Sequence, residues 1–129
     1  ADAVAGAPEA LHLEYLHVAT GMDIVPTATV RLLRNGQPVQ EARTGVGSVD
    51  AVYRAIAKLS GVKHQLVDFT VQSVTGGTDA LADVTVRVSW RNRVFTGRGS
   101  SMDVIEASAK AYVQAVNRVL LARDQAAKR

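Results

Sequence analysis

The chain has 129 residues, 47% hydrophobic and 21% charged, with a formal net charge of +3. That length suits one domain with a single core, and that balance excludes a disordered chain. Cysteine is absent, which excludes disulfides and thiolate metal sites. Aromatic residues, at 5%, are too few for the stacking platforms of a nucleic-acid binder.

Residues 1–10 are small and polar around Pro8 and read as a linker. No basic segment followed by a long apolar run is present there, so no secretory signal is expected. Nothing approaches the roughly 18 consecutive apolar residues of a membrane span, and the expected location is the cytoplasm.

Leu11–Thr20 is strand-like, and Thr20-Gly21-Met22-Asp23 reads as a turn. Pro26 opens a second strand, Thr27–Leu33, in which Ala28, Val30 and Leu32 alternate with Thr27, Thr29 and Arg31. Asn35-Gly36 is a hairpin signal, and a third strand follows over about 38–44. The period then becomes helical: Val49, Val52, Tyr53, Ile56 and Leu59 fall on one face. Ser48 is the expected N-cap, Asp50 suits the first turn, and Gly61 the end.

The pattern restarts at Leu66–Val74, with Val67, Phe69 and Val71 against Asp68, Thr70 and Gln72. Gly76-Gly77 reads as a turn, Val84, Val86, Val88 and Trp90 as one face of a strand, and Arg91-Asn92 as a turn. A short strand over about 93–97 precedes a longer helix marked by Ile105, Ala109, Tyr112, Val116 and Val119.

The halves share text. Thr44-Gly45-Val46-Gly47-Ser48 matches Thr96-Gly97-Arg98-Gly99-Ser100 at a shift of 52, from Thr44 to Thr96, and Thr29-Val30-Arg31 matches Thr85-Val86-Arg87. A repeat of this period is one supersecondary unit used twice. The expected fold is α+β: two pseudo-twofold-related βββα units, each an antiparallel three-stranded sheet with one helix. The first unit covers 11–61 and the second 64–121. Residues 122–129 read as a basic tail.

Each Gly-x-Gly-Ser is expected between a strand and a helix. Glycines allow close backbone approach there, and a helix start offers unpaired N–H groups to a carboxylate. Asp50 or Asp103 could accept hydrogen bonds from an ammonium group. Val49, Tyr53, Leu66 and Phe69 could receive an apolar side chain. An α-amino acid carries all three features. The same residues also serve as ordinary turns and caps. Other chemistry is poorly supported. His12 and Glu14 share a strand face while His17 takes the other, so a zinc site lacks a third ligand. Asp68 reads as a surface carboxylate, and Tyr53 and Tyr112 as core residues.

Three stretches together resemble the C-terminal regulatory (allosteric dimer) domain of the 2-isopropylmalate synthase and citramalate synthase family. They are Pro26–Val30, Thr44–Ala51, and Gly97–Ser108 running on to Asn117; the resemblance covers residues 11–121. It implies a non-catalytic domain that binds leucine or another branched-chain amino acid and feeds back on leucine biosynthesis. It also implies a homodimer and attachment to a catalytic domain; the sparse aromatics and the lack of a long apolar run add the expectation of no nucleic-acid or membrane partner. The domain itself would need no cofactor or metal; the separate catalytic barrel would use a divalent metal and acetyl-CoA. By position, the resemblance assigns ligand contacts to Gly47, Val49 and Asp50, to Leu66, Phe69 and Ser73, and to Ser101 and Asp103. Phe69 stands where related domains often carry tyrosine, and Ser48 and Ser101 where proline is frequent. A purely structural dimerisation domain without ligand is the alternative.

Overall fold

A computed structural model describes residues 9–76 and 79–127. The elements are β1 (Leu11–Gly21), β2 (Ile24–Arg34), β3 (Gln37–Thr44), α1 (Ser48–Ser60), β4 (Gln65–Gly76), β5 (Asp79–Trp90), β6 (Arg93–Ser101) and α2 (Val104–Ala127). They form two antiparallel three-stranded sheets, β1-β2-β3 and β4-β5-β6, each followed by one helix. This is the α+β arrangement expected from the repeat.

Both outer hairpins turn through positive φ. Asn35 and Gly36 do so in the first unit, and Arg91 and Asn92 in the second, where no glycine relieves the side chains. Pro26 lies inside β2 rather than at its start. The ladder tolerates it because β2–β3 pairing stops at Thr27↔Thr44 and β1–β2 pairing is irregular between Ala19 and Gly21. Proline removes a donor where little pairing is left to lose. The turn expected at Gly76-Gly77 lies partly outside the described residues.

Ladder register locates the true repeat. Thr27 pairs with Thr44 and Asp83 with Ser100, so corresponding residues differ by 56 (83 less 27, 100 less 44). The textual match at 52 is therefore out of step by four. Its second copy, Thr96–Ser100, is not a strand-to-helix turn but part of β6, which runs on to Ser101.

The reason is packing. A Cβ added at Gly97 would overlap Ala111 O and Ala115 N, and one at Gly99 would overlap Ala107 O. These glycines let α2 lie directly on β6. In the first unit the same text does make a turn, with Gly45, Val46 and Gly47 between β3 and α1.

Each sheet turns one face to the helices. Ala28, Val30 and Leu32 of β2 and Val84, Val86 and Val88 of β5 are fully buried. They meet Val52, Ile56 and Leu59 of α1 and Tyr112, Val116 and Val119 of α2 in one core. α1 lies on β2 and β3, α2 on β5 and β6, and the helices pack on each other. α2 is long enough to reach β1 as well. It continues through residues 122–127, the stretch set apart above as a tail.

Candidate effector site on the inner face of the second sheet

A bulge between Leu66 and Asp68 resets the alternation of β4. Leu66, Phe69, Val71 and Ser73 then lie opposite Val88, Val86, Val84 and Ala82, on the helix-facing side of the sheet. The helix does not cover them. α2 sits over β5 and β6, and Leu66, Phe69 and Val71 remain 45%, 37% and 42% exposed. An apolar edge strand left open on its inner side marks an interaction surface.

Cross-strand rows carry this face towards α2. Ser73 pairs with Ala82, and Ala82 with Ser101. Two of the expected contact residues thus share one row, two strand spacings apart, roughly 10 Å. The other end meets α1: the Phe69 and Tyr53 rings pack edge to face with centroids 5.7 Å apart. Tyr53 in turn packs against Tyr112, at 4.5 Å. The Tyr53 hydroxyl is buried beside Ser108 without a hydrogen bond of full geometry. Ser108 spends its own proton on Val104 O, at 2.7 Å. Burial pushes the pKa of both tyrosines up, so both are neutral phenols.

Gly47, Val49 and Asp50 lie at the start of α1. Gly47, not Ser48, is the N-cap, extended at φ −150°, and no side chain caps the helix from that position. Nothing lies within 4 Å of where its Cβ would be. Asp50 reaches back instead: Val46 N–H donates to its Oδ2 at 2.9 Å, and Arg54 Nε does so at 2.8 Å. The Val46 hydrogen bond, aided by Arg54, holds the Asp50 pKa below the usual carboxylate range. This is a reciprocal N-terminal closure that searching for a Ser or Asp at the cap position overlooks.

Asp103 is the cap of α2, accepting from Ile105 N–H at 2.8 Å. Ser101 Oγ accepts from Asp103 N–H at 3.1 Å and donates to Glu106 Oε2 at 2.9 Å. Asp50 and Asp103 each serve their own helix, and the hydrogen bonds described join neither to the other's turn. A cleft of about 530 Å³ between β1, β6 and α2 is lined by Asp103 but by none of the other seven expected residues. The structure therefore joins Leu66, Phe69, Ser73 and Ser101 on one face, touches α1 through Tyr53, and leaves the α1 turn as a separate, open helix start. Among the described residues no three His, Asp or Glu side chains converge as a metal site requires.

The sequence matches the LeuA allosteric (dimerisation) domain over residues 1–120. The chain belongs to that family. Its relatives include the 2-isopropylmalate synthase of Carboxydothermus hydrogenoformans, 45% identical over 88% of this chain and 22% of the relative. That of Shouchella clausii is 50% identical over 93% of this chain and 23% of the relative. That of Pelotomaculum thermopropionicum is 48% identical over 88% and 23%. The chain thus spans less than a quarter of the length of these relatives. The helix-on-sheet units described above are this family's domain, and no described helix is long and apolar enough to cross a membrane.

Proposed function

We propose that the chain is the effector-binding part of a 2-isopropylmalate synthase. In this reading it binds leucine, or another branched-chain amino acid, and lowers flux into leucine biosynthesis by feedback. The observation that carries it is the uncovered row Leu66, Phe69 and Val71, which meets α1 through the Phe69–Tyr53 ring contact. The apolar side chain of the amino acid rests on Phe69, Leu66 and Val49. Its carboxylate meets the unpaired N–H groups after Gly47, where the helix end carries partial positive charge. Its ammonium is held by Asp50, which stays ionised.

The same open face is the natural seat of a second copy, because an apolar edge of this size is otherwise left in water. A homodimer formed there would surround the effector with both protomers. Condensation of acetyl-CoA with a 2-oxo acid, at a divalent metal, would belong to a separate catalytic domain of the same cytoplasmic polypeptide. Feedback requires that leucine bind one global state more tightly than the other, and a difference of about 1–3 kcal/mol is enough.

A second reading, dimerisation without ligand, is favoured by one observation: Asp50 and Asp103 both have local partners already. Calorimetric titration with leucine, isoleucine and valine separates the two. Saturable binding of one amino acid supports the sensor. No heat from any of them, with a folded dimer, supports the structural reading.

A further inference from the structure

A second cleft, of about 590 Å³, opens between β3, α1 and the loop leading to β4. Its lining includes Arg43, Arg54, Lys58, Lys63 and His64, and no carboxylate. Arg43 has an ion-pair partner outside the lining, Glu41 at 2.6 Å, and Arg54 has Asp50 at 2.8 Å. Lys58 and Lys63 have no ion-pair partner among the described residues. The C-terminal carbonyls of α1 do not require these lysines: Arg34 donates to Leu59 O at 3.0 Å, and Gly61 closes the helix in the left-handed conformation.

The repeat shows that this charge is not demanded by the fold. At the offset of 56, Arg54, Ala57 and Lys58 correspond to Lys110, Val113 and Gln114, which line the cleft between β1, β6 and α2. There Glu9, Glu14, Asp103 and Glu106 face Arg98 and Lys110. Corresponding helix faces thus meet a mixed lining with more acid than base in one cleft, where Glu9 and Glu14, just before and within β1, supply two of the carboxylates, and a purely basic lining in the other. A cleft lined by charge of one sign focuses its field on an oppositely charged ligand.

We propose that the cleft between β3, α1 and the α1–β4 loop binds a small phosphate-bearing anion. Lys58 and Lys63 are its principal contacts, with Arg43 and Arg54 at the rim. Lysine ammonium groups suit it, being compact charges that can each meet any phosphate oxygen. His64 forms the floor and takes no part in holding the anion, because both its ring nitrogens are engaged, by Val62 O and by the Tyr112 hydroxyl. The site is distinct from the β4 face and does not depend on the effector reading.

The test is calorimetric titration of the chain with inorganic pyrophosphate at low ionic strength. It is repeated on Lys58→Ala/Lys63→Ala and, as a control in the cleft between β1, β6 and α2, on Lys110→Ala. Both lysines of the double variant are exposed, so folding is retained, and circular dichroism checks it. The expected result is saturable binding at one site per chain, weakened at least about tenfold in the double variant and unchanged by Lys110→Ala. Histidine-ring NMR signals of His64 should shift along the same titration. Absence of saturation overturns the proposal, as does equal affinity in the double variant, or equal weakening by Lys110→Ala.

Discussion

His64 Nε2 lies 2.6 Å from the Tyr112 hydroxyl, and its Nδ1 lies 2.9 Å from Val62 O. A carbonyl only accepts, so Nδ1 carries the proton and Nε2 accepts from Tyr112. Burial holds the pKa of His64 below the ordinary histidine value, and only the Val62 bond pulls it up. In the unfolded chain the ring protonates near its usual pKa, about 6.5, before the folded one does. The neutral ring therefore contributes stability in full above about pH 6.5, and this is lost as pH falls through the folded pKa. Thermal melts between pH 7.5 and 5 should show Tm falling in the natural chain. The fall should be shallower in His64→Gln. Equal slopes would remove His64 as the cause.

Gly97 and Gly47 stand in the same short motif and should respond oppositely to alanine. At Gly97 an added methyl group meets the backbone of α2 at Ala111 and Ala115, which cannot move without lifting the helix. A loss of about 1–3 kcal/mol is expected, as for other overpacked sites. At Gly47 the added methyl group meets nothing and φ is already extended, so Gly47→Ala should cost less than about 1 kcal/mol. Urea titration of both variants checks this; comparable losses would contradict the close packing of β6 on α2.

Much of this fold was legible because strand and helix write different periods. Val84, Val86, Val88 and Trp90 read as one face and are one face. Asn35-Gly36 and Arg91-Asn92 read as turns and are turns. Three things were hidden. The bulge after Leu66 changes which side Leu66 faces, and no residue type announces it. Gly97 and Gly99 look like a turn because the sequence does not show the helix lying on them. The cap of α1 is closed from Asp50 backwards, so a rule looking for the cap residue selected Ser48. The candidate site was legible only in pieces. Its residues lie on four elements, and ladder register, not sequence spacing, decides that Ser73 and Ser101 share a row.

Gly47→Asp probes the effector reading directly. The open space there accepts the side chain, so the fold should be retained. The new carboxylate would take the helix N-terminus and repel that of the amino acid. Leucine affinity should fall on the order of tenfold or more, read by calorimetry. Unchanged affinity in a folded variant would place the ligand elsewhere.

Phe69→Asp tests the β4 face as the seat of the second copy. Phe69 is 37% exposed, and its ring packs nearly perpendicular to that of Tyr53. A charge here should cost the monomer little but oppose burial against a partner. Light scattering after size exclusion should report a dimer for the natural chain and a monomer for the variant, with the same circular dichroism. A dimer persisting in Phe69→Asp would move the interface off β4.

Asn117 ties the two units together in a way that hydrophobic pattern cannot express. It lies on α2, yet its Oδ1 accepts from Leu11 N–H and its Nδ2 donates to Leu11 O, both at 2.8 Å. Leu11 begins β1 and is fully buried, so its backbone groups have no water to turn to. The side-chain amide replaces the strand partner that β1 lacks on its outer edge. Asn117→Ala leaves both groups unpaired and should destabilise by about 1–3 kcal/mol. Asn117→Asp keeps the shape but sets a carboxylate oxygen against Leu11 O in place of the donor, and should cost more than alanine. Urea unfolding of both variants checks the order. A loss with Asn117→Asp smaller than with alanine would mean that the amide donor contributes nothing to holding the first strand against the last helix.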